Sequence, residues 1–243
     1  MSINFIPQGV YEDIINIVGQ WKVVDMKSLS DMCNYEIGYH NLLKKVRTLE
    51  THGLIKGVLL GRKNKHIYLT NKGLQYTGYD YTYEICDENI THDLIVSRVI
   101  QVLLEHKNFV DGKLFHQLPI DMIYPDAKLS LVKNTECFDL AIEVELTQKA
   151  QNRIKEKYRR YSVGKNFDYG VFITNKERLF KTYARYLLEM KESVQEAIIL
   201  ILEKQMTATK FNPQKTECFY LGNSTTFNDL FKSNRSQNTV KWS

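Results

Sequence analysis

The stretch YPDAKLSLVKNTECFDLAIEVELTQKAQNRIKEKYRRY, residues 124–161, decides how the rest of the chain is read. Residues 128–132 and 138–146 alternate or run apolar as strands do, and residues 133–136 join them as a hairpin loop. Glu143 and Glu145 are two apart on one strand, so both project from the same face, and Asp139 shares their parity. Asp126 heads the neighbouring strand, where a hairpin brings it beside them. Carboxylates held on rigid strands repel one another unless something positive sits between them, and hard oxygen ligands suit Mg²⁺ or Mn²⁺. The expected metal ligands are therefore Asp126, Glu143 and Glu145. Lys149 follows on the first turn of the next helix and is expected to aim its ammonium at a phosphate on that ion. The alternative is an edge strand whose glutamates face water. Against it, Leu140, Ile142, Val144 and Leu146 already fill the other face, a following helix should cover this one, and covered carboxylates are costly without a cation.

The following helix, about 148–163, carries Lys149, Arg153, Lys157 and Arg160 within ~80° of one another, a single basic stripe able to track a phosphate backbone. Ile154, Tyr158 and Tyr161 make a second stripe with the spacing of a packed face. A strand at 168–174, a helix at 176–190 and a strand at 197–202 follow. Residues around 211–231 close the domain, and 233–243 reads as a frayed tail. A helix over 91–106, with Leu94, Ile95, Val99, Val102 and Leu103 inward, opens this half. The order of helix, hairpin, strand, helix, strand, helix and strand is that of an α/β sandwich.

The N-terminal part has a different pattern. Helices are expected at 9–21, with Val10, Ile14, Ile15, Ile17 and Val18 as its buried side, at 26–33, with Leu29 and Met32 inward, and at 35–52, built on Leu42, Val46 and Leu49 and ended by Gly53. A β-hairpin over 54–70 follows, with Arg62, Lys63 and Lys65 at its tip. Three helices and a basic hairpin make a winged helix-turn-helix, similar to MarR-like DNA-binding domains. On its third helix Tyr39, His40, Asn41, Lys44 and Lys45 lie off the core stripe and can meet bases and phosphates in a major groove. A solvated helix face and a soluble turn are the plainer alternative. Residues 76–90 lack periodicity and read as a linker, giving domains at 1–75 and 91–232 in an α+β chain.

Composition bounds the rest. The 243 residues carry a net charge of +5, mildly basic and compatible with nucleic acid without demanding it. Cys33, Cys86, Cys137 and Cys218 are scattered with no CxxC pair, so neither zinc nor a disulfide framework is suggested. The start has no signal-peptide arrangement, and no apolar run nears the ~20 residues that span a bilayer, so a cytoplasmic protein without membrane insertion is expected.

Pro125-Asp126, then Glu143-x-Glu145, then a lysine resembles the PD-(D/E)xK nuclease signature, with the lysine displaced from its usual place two residues after the first glutamate. The run Ile-Glu-Val-Glu-Leu-Thr-x-Lys behind a winged helix is similar to replication-relaxation proteins and to plasmid mobilisation relaxases of the MOBC class (MobC-type). That resemblance implies a restriction-endonuclease-like sandwich and a metal-dependent relaxase that nicks one strand at a plasmid transfer origin. Its partners would be duplex DNA, single-stranded DNA after nicking, and accessory relaxosome proteins of mobilisation and conjugation. A relaxase must keep the energy of the broken bond, which favours a covalent tyrosine. The family's Arg-Tyr pair is matched at Arg153, but Ile154 follows it, leaving Tyr158 and Tyr161 as substitutes; Tyr161 lies roughly 18 Å along the helix axis from Lys149, far for direct participation, and Tyr124, beside Asp126, and Tyr169 on the next strand are others. Alternative readings are a double-strand-cutting restriction or transposon endonuclease, and a catalytically inactive replication or transcription regulator.

Overall fold

The computed structural model describes residues 5–33, 37–60, 64–79, 87–115, 124–163 and 166–232. The chain divides into two compact units, Met1–Ser97 and Arg98–Ser243.

The first unit runs α1 (Val10–Trp21), β1 (Val23–Asp25), α2 (Met26–Met32), α3 (Tyr39–Thr51), β2 (Ile55–Leu60), β3 (Asn64–Leu69) and α4 (Asn71–Leu74). Its core is the apolar stripes read from sequence: Ile14, Ile15 and Val18 of α1, Leu29 of α2, and Leu42, Val46 and Leu49 of α3 are buried. The three strands order β1-β3-β2, all antiparallel. Strand β1, too short to show a period, escaped the sequence reading. It is fixed at its end by Asp25, whose Oδ1 accepts from the amides of Lys27 and Ser28 and so caps α2. The hairpin joins the helices through Thr70, whose hydroxyl donates to Gly53 O at 2.6 Å and accepts from Gly73 N at 3.1 Å. Gly73 is required there, because a Cβ would stand 2.0 Å from Leu54 O, a backbone atom that cannot swing aside. Gly73→Ala is expected to cost about 1–3 kcal/mol through overpacking. Urea titration read on the first unit checks this, and a midpoint unchanged from wild type would remove the claimed contact.

Helix α5 (Asp87–Leu104) precedes β4 (Phe109–Leu114), β5 (Ala127–Lys133), β6 (Glu136–Val144), α6 (Gln151–Val163), β7 (Tyr169–Thr174), α7 (Glu177–Leu188), α8 (Glu192–Gln195), β8 (Ile198–Leu202), β9 (Glu217–Tyr220), β10 (Asn223–Thr226) and α9 (Phe227–Phe231). Among the described residues β4 to β10 form one seven-stranded sheet in the order β10-β9-β8-β7-β6-β5-β4. The pairs β6·β7 and β7·β8 are parallel and the others antiparallel, so the second unit is α+β around a mixed sheet. The β5–β6 hairpin is tighter than expected: Lys133 pairs with Glu136, and Asn134 and Thr135 turn the chain with φ of 51° and 73°. Two successive left-handed residues match the twist of the strands they join. Strand β4 was not anticipated, since Phe109-Val-Asp-Gly-Lys-Leu shows no sustained apolar alternation. Its Gly112 fits where a Cβ would meet Ile100 and Leu104 of α5 within 3.1 Å.

On one face of the sheet, Ala141, Phe172, Ile198, Leu200 and Leu202 pack against Ile154, Tyr158 and Tyr161 of α6 and Leu179, Phe180, Tyr183, Tyr186 and Leu187 of α7. Glu143 and Glu145 share parity with Ala141, so they enter this same layer. The opposite parity, Leu140, Ile142, Val144, Val171, Ile173, Ile199 and Ile201, is also buried. Near-continuous apolar runs on β7 and β8 are what a strand covered on both faces requires. Among the described residues no helix is long and apolar enough to cross a membrane. The expected 233–243 tail and the middle of the expected linker, residues 80–86, lie outside the described residues.

Candidate functional site

The antiparallel register of β5 and β6 pairs Ala127 with Ile142, and continuing it by one residue sets Asp126 opposite Glu143. Directly opposed residues on adjacent strands have Cβ atoms about 4.5–5.5 Å apart. Asp126 Oδ2 accepts from Val144 N at 2.7 Å, which holds its carboxylate against the end of β6. Glu143 and Glu145 are 2% and 3% exposed. The helix expected over them is present, and the covered carboxylates carry the cost anticipated for them.

Their cation is Lys157. Its ammonium donates to Glu143 Oε2 at 2.6 Å and to Glu145 Oε1 at 3.0 Å, from a residue only 8% exposed. This corrects two expectations. Lys157 was placed on an outward basic stripe for DNA, whereas it turns into the sheet. Lys149 was to be the ammonium at the carboxylates, but it precedes α6, and its backbone amide donates to the Tyr183 hydroxyl at 3.3 Å. The periodicity contained the signal: at ~100° per residue Lys157 lies only ~40° from Tyr161 and ~60° from Ile154, on the flank of the apolar stripe. A long lysine there can reach inward when two acids await it.

Tyr161 donates its hydroxyl to Glu143 Oε1. Its distance along the helix from Lys149 thus misjudged it, because the group at the carboxylates is Lys157, one turn before Tyr161 on α6. Gly170 of β7 permits this approach: a Cβ there would sit 3.0 Å from Tyr161 Cβ and Cδ2. Tyr158 is buried and donates to Tyr183 O at 3.2 Å. Arg153 is exposed at the start of α6, and Arg160 is exposed and paired with Glu156 at 3.1 Å.

Burial, and then the negative charge of Asp126, push the Glu143 carboxyl up to about 7, against the pull of Lys157 and Tyr161. Burial alone would lower the Lys157 ammonium, but the charges of Glu143 and Glu145 outweigh it and the net movement is upward. Burial, followed by the charge of Glu143, raises the Tyr161 hydroxyl far above the usual phenol range. Tyr158 moves the same way, mainly by burial. Both phenols therefore stay protonated, as donors.

The three-carboxylate ligand set expected from Asp126, Glu143 and Glu145 is not assembled. Among the described residues no group of three or more His, Cys, Asp or Glu side chains is arranged to hold a metal ion. The physical reason is the Lys157 ammonium between the two glutamates. What remains is a cross-strand pair, Asp126 and Glu143, in which burial first and the charge of Asp126 second lift Glu143. Both Glu143 oxygens are engaged, Oε2 by the Lys157 ammonium and Oε1 by the Tyr161 hydroxyl.

In the first unit Tyr39, His40, Asn41 and Lys44 are exposed together on α3. Lys45 is half-buried, its ammonium 4.3 Å over the Tyr11 ring. Lys65 turns back to Glu50 at 2.6 Å. Arg62 and Lys63 lie outside the described residues.

No family model matches the chain, and no curated protein matches it. Among solved structures, the restriction endonuclease FokI overlaps 74% of this chain with 12% identity and a TM-score of 0.25. The same enzyme bound to DNA overlaps 72% with 10% identity and a TM-score of 0.26. The chain spans about 40% of the length of those chains, and overlaps of this quality assign neither fold nor activity.

Proposed function

We propose that the second unit is a PD-(D/E)xK-like nuclease domain that breaks one phosphodiester of DNA, and that the first is a winged helix that holds the duplex. One observation carries this reading: the Lys157 ammonium sits between Glu143 and Glu145 at the end of a sheet strand, with Asp126 across from Glu143. The element order α1-β1-α2-α3-β2-β3, with Tyr39, His40, Asn41 and Lys44 exposed on α3, supports the winged-helix part.

Asp126 and Glu143 would hold Mg²⁺ or Mn²⁺, which supplies Lewis-acid polarisation of the scissile phosphate. Glu145 keeps Lys157 charged and oriented, and Lys157 neutralises negative charge that builds on the phosphate oxygens. Tyr161 fixes the Glu143 rotamer. Tyr158 and Tyr161 are occupied as buried donors, which disfavours these two as covalent nucleophiles and supports water as the attacking group. The relaxase form of this proposal, nicking at a transfer origin in the cytoplasm with mobilisation partners, rests on the sequence resemblance. The closed network of Lys157, Tyr161 and two glutamates also favours a second reading, a sheet domain that binds DNA without cutting it.

Supercoiled plasmid incubated with the protein and Mg²⁺ or Mn²⁺ separates these readings. Open circles that vanish with chelator and with Glu143→Gln are the expected result. Linear product would indicate a double-strand nuclease. Plasmid that is retarded but intact under every condition would leave only the binder.

A further inference from the structure

Helix α7 shows one apolar side to the sheet, and its other side was given no role by the sequence. Arg178, Lys181, Thr182 and Arg185 fall there at i, i+3, i+4 and i+7. With Gln148 and Glu177 they line a cleft of about 610 Å³. The segment carrying Gln148 leaves β6 just after Glu145, and the Lys149 amide ties it to Tyr183 on the inner side of α7. The cleft therefore opens beside the strand end that carries the carboxylates. Its single acid, Glu177, is already shared by Lys181 at 2.7 Å and Lys204 at 2.8 Å. Arg185 has its guanidinium 5.5 Å from the Tyr186 ring centroid, braced as a planar fork. The cleft is thus cationic, with the Gln148 amide as a further donor; the Thr182 hydroxyl is spent on Arg178 O at 2.9 Å within the helix.

We propose that this cleft is a seat for the phosphodiester backbone of DNA, deepening the nuclease reading above, on which it rests. From Arg178 to Arg185 the helix advances about 10 Å, enough to span about three phosphates of one duplex strand at ~3.4 Å of axis each. Two arginines offer paired N–H donors suited to phosphate, Lys181 adds positive charge beside its Glu177 partner, and the Gln148 amide bonds a non-bridging oxygen. A solvated helix face is the competing explanation; it would cost nothing in DNA binding when neutralised.

The test measures fluorescence anisotropy of a labelled 30-base-pair duplex with the full chain, in chelator to prevent cleavage, between roughly 50 and 200 mM salt. Neutralising three phosphate contacts in Arg178→Gln/Lys181→Gln/Arg185→Gln is expected to flatten the slope of log K against log salt by about 2.7, at 0.9 per contact. Arg178→Lys/Arg185→Lys keeps the charge and is expected to keep the slope. An unchanged slope in the triple variant, or a slope lost equally in the lysine variant, overturns the proposal. Inorganic phosphate at matched ionic strength should displace the duplex no better than chloride; preferential displacement would make the cleft a site for free anion instead. If plasmid stays uncut yet the slope flattens, the nuclease reading falls and the cleft stands. Nicking with an unchanged slope gives the converse.

Discussion

Lys157→Met should destabilise the second unit by about 3–5 kcal/mol at pH 8, the cost of stranding a buried charge by removing its partner. Both glutamates would then face each other in a layer where they are 2% and 3% exposed. The methionine fills much of the lysine's volume, so lost packing is a minor part of the effect. Two controls separate charge from shape. Repeating the measurement at pH 5 should shrink the loss, because Glu143, with its carboxyl at about 7, is then protonated. Adding Glu143→Gln and Glu145→Gln to Lys157→Met should restore most of the stability, since a neutral set no longer needs the ammonium. Urea titrations of the three proteins at both pH values give the answer. A loss below about 1 kcal/mol for the single variant, equal at both pH values, would mean that the ion pairs contribute nothing and that the site geometry has been misread.

Glu143→Gln carries the second large effect, and its sign depends on pH. The folded carboxyl titrates at about 7, above the ordinary 4.5 of the unfolded chain. Between those values the folded protein holds a proton that the unfolded chain has released, so the stability conferred is full below pH 4.5 and lost as the pH rises through 7. The displacement corresponds to about 3 kcal/mol at 1.36 kcal/mol per tenfold change. Glutamine is fixed in the neutral form and lacks this dependence. In chelator, the unfolding free energy of the variant minus that of wild type should therefore rise by about 3 kcal/mol from pH 4.5 to pH 7.5. Other groups cancel in that difference, including His106, whose burial lowers its imidazole in the same range. A difference flat to within 1 kcal/mol across the window would show that Glu143 is ionised throughout.

The hairpin with its acids could be read because its information is local. Parity alone puts Glu143 and Glu145 on one face, and a short turn alone brings Asp126 across from Glu143. The apolar stripes of α1, α3 and α6 were legible for the same reason. What could not be read depends on how distant elements cross. Lys157 is polar at a flanking position, and only the placement of α6 over β6 decides whether it turns out to water or in to two glutamates. Tyr161 was discounted from its distance to Lys149, a residue that is not the one the fold brings to the carboxylates. Strand β4 has almost no apolar alternation of its own, and exists because β5 offers it an edge and Gly112 lets α5 lie close. The cleft on α7 was missed because it is assembled from one face of a helix and a single residue after β6.

Every strand of the seven-stranded sheet lies beside its neighbours in chain order, from β4 at one edge to β10 at the other. As the chain emerges during synthesis at about 5–20 residues per second, no early strand waits for a later one to slip between its partners. The growing edge is always the strand most recently made. Its most exposed moment comes after β7, when Tyr169–Thr174 has docked on β6 but the Ile198–Leu202 strand has not yet been synthesised. For those few seconds an apolar edge keeps its amides and carbonyls open; α7, arriving next, covers only the face of the sheet, and the edge closes when Ile198–Leu202 pairs along it.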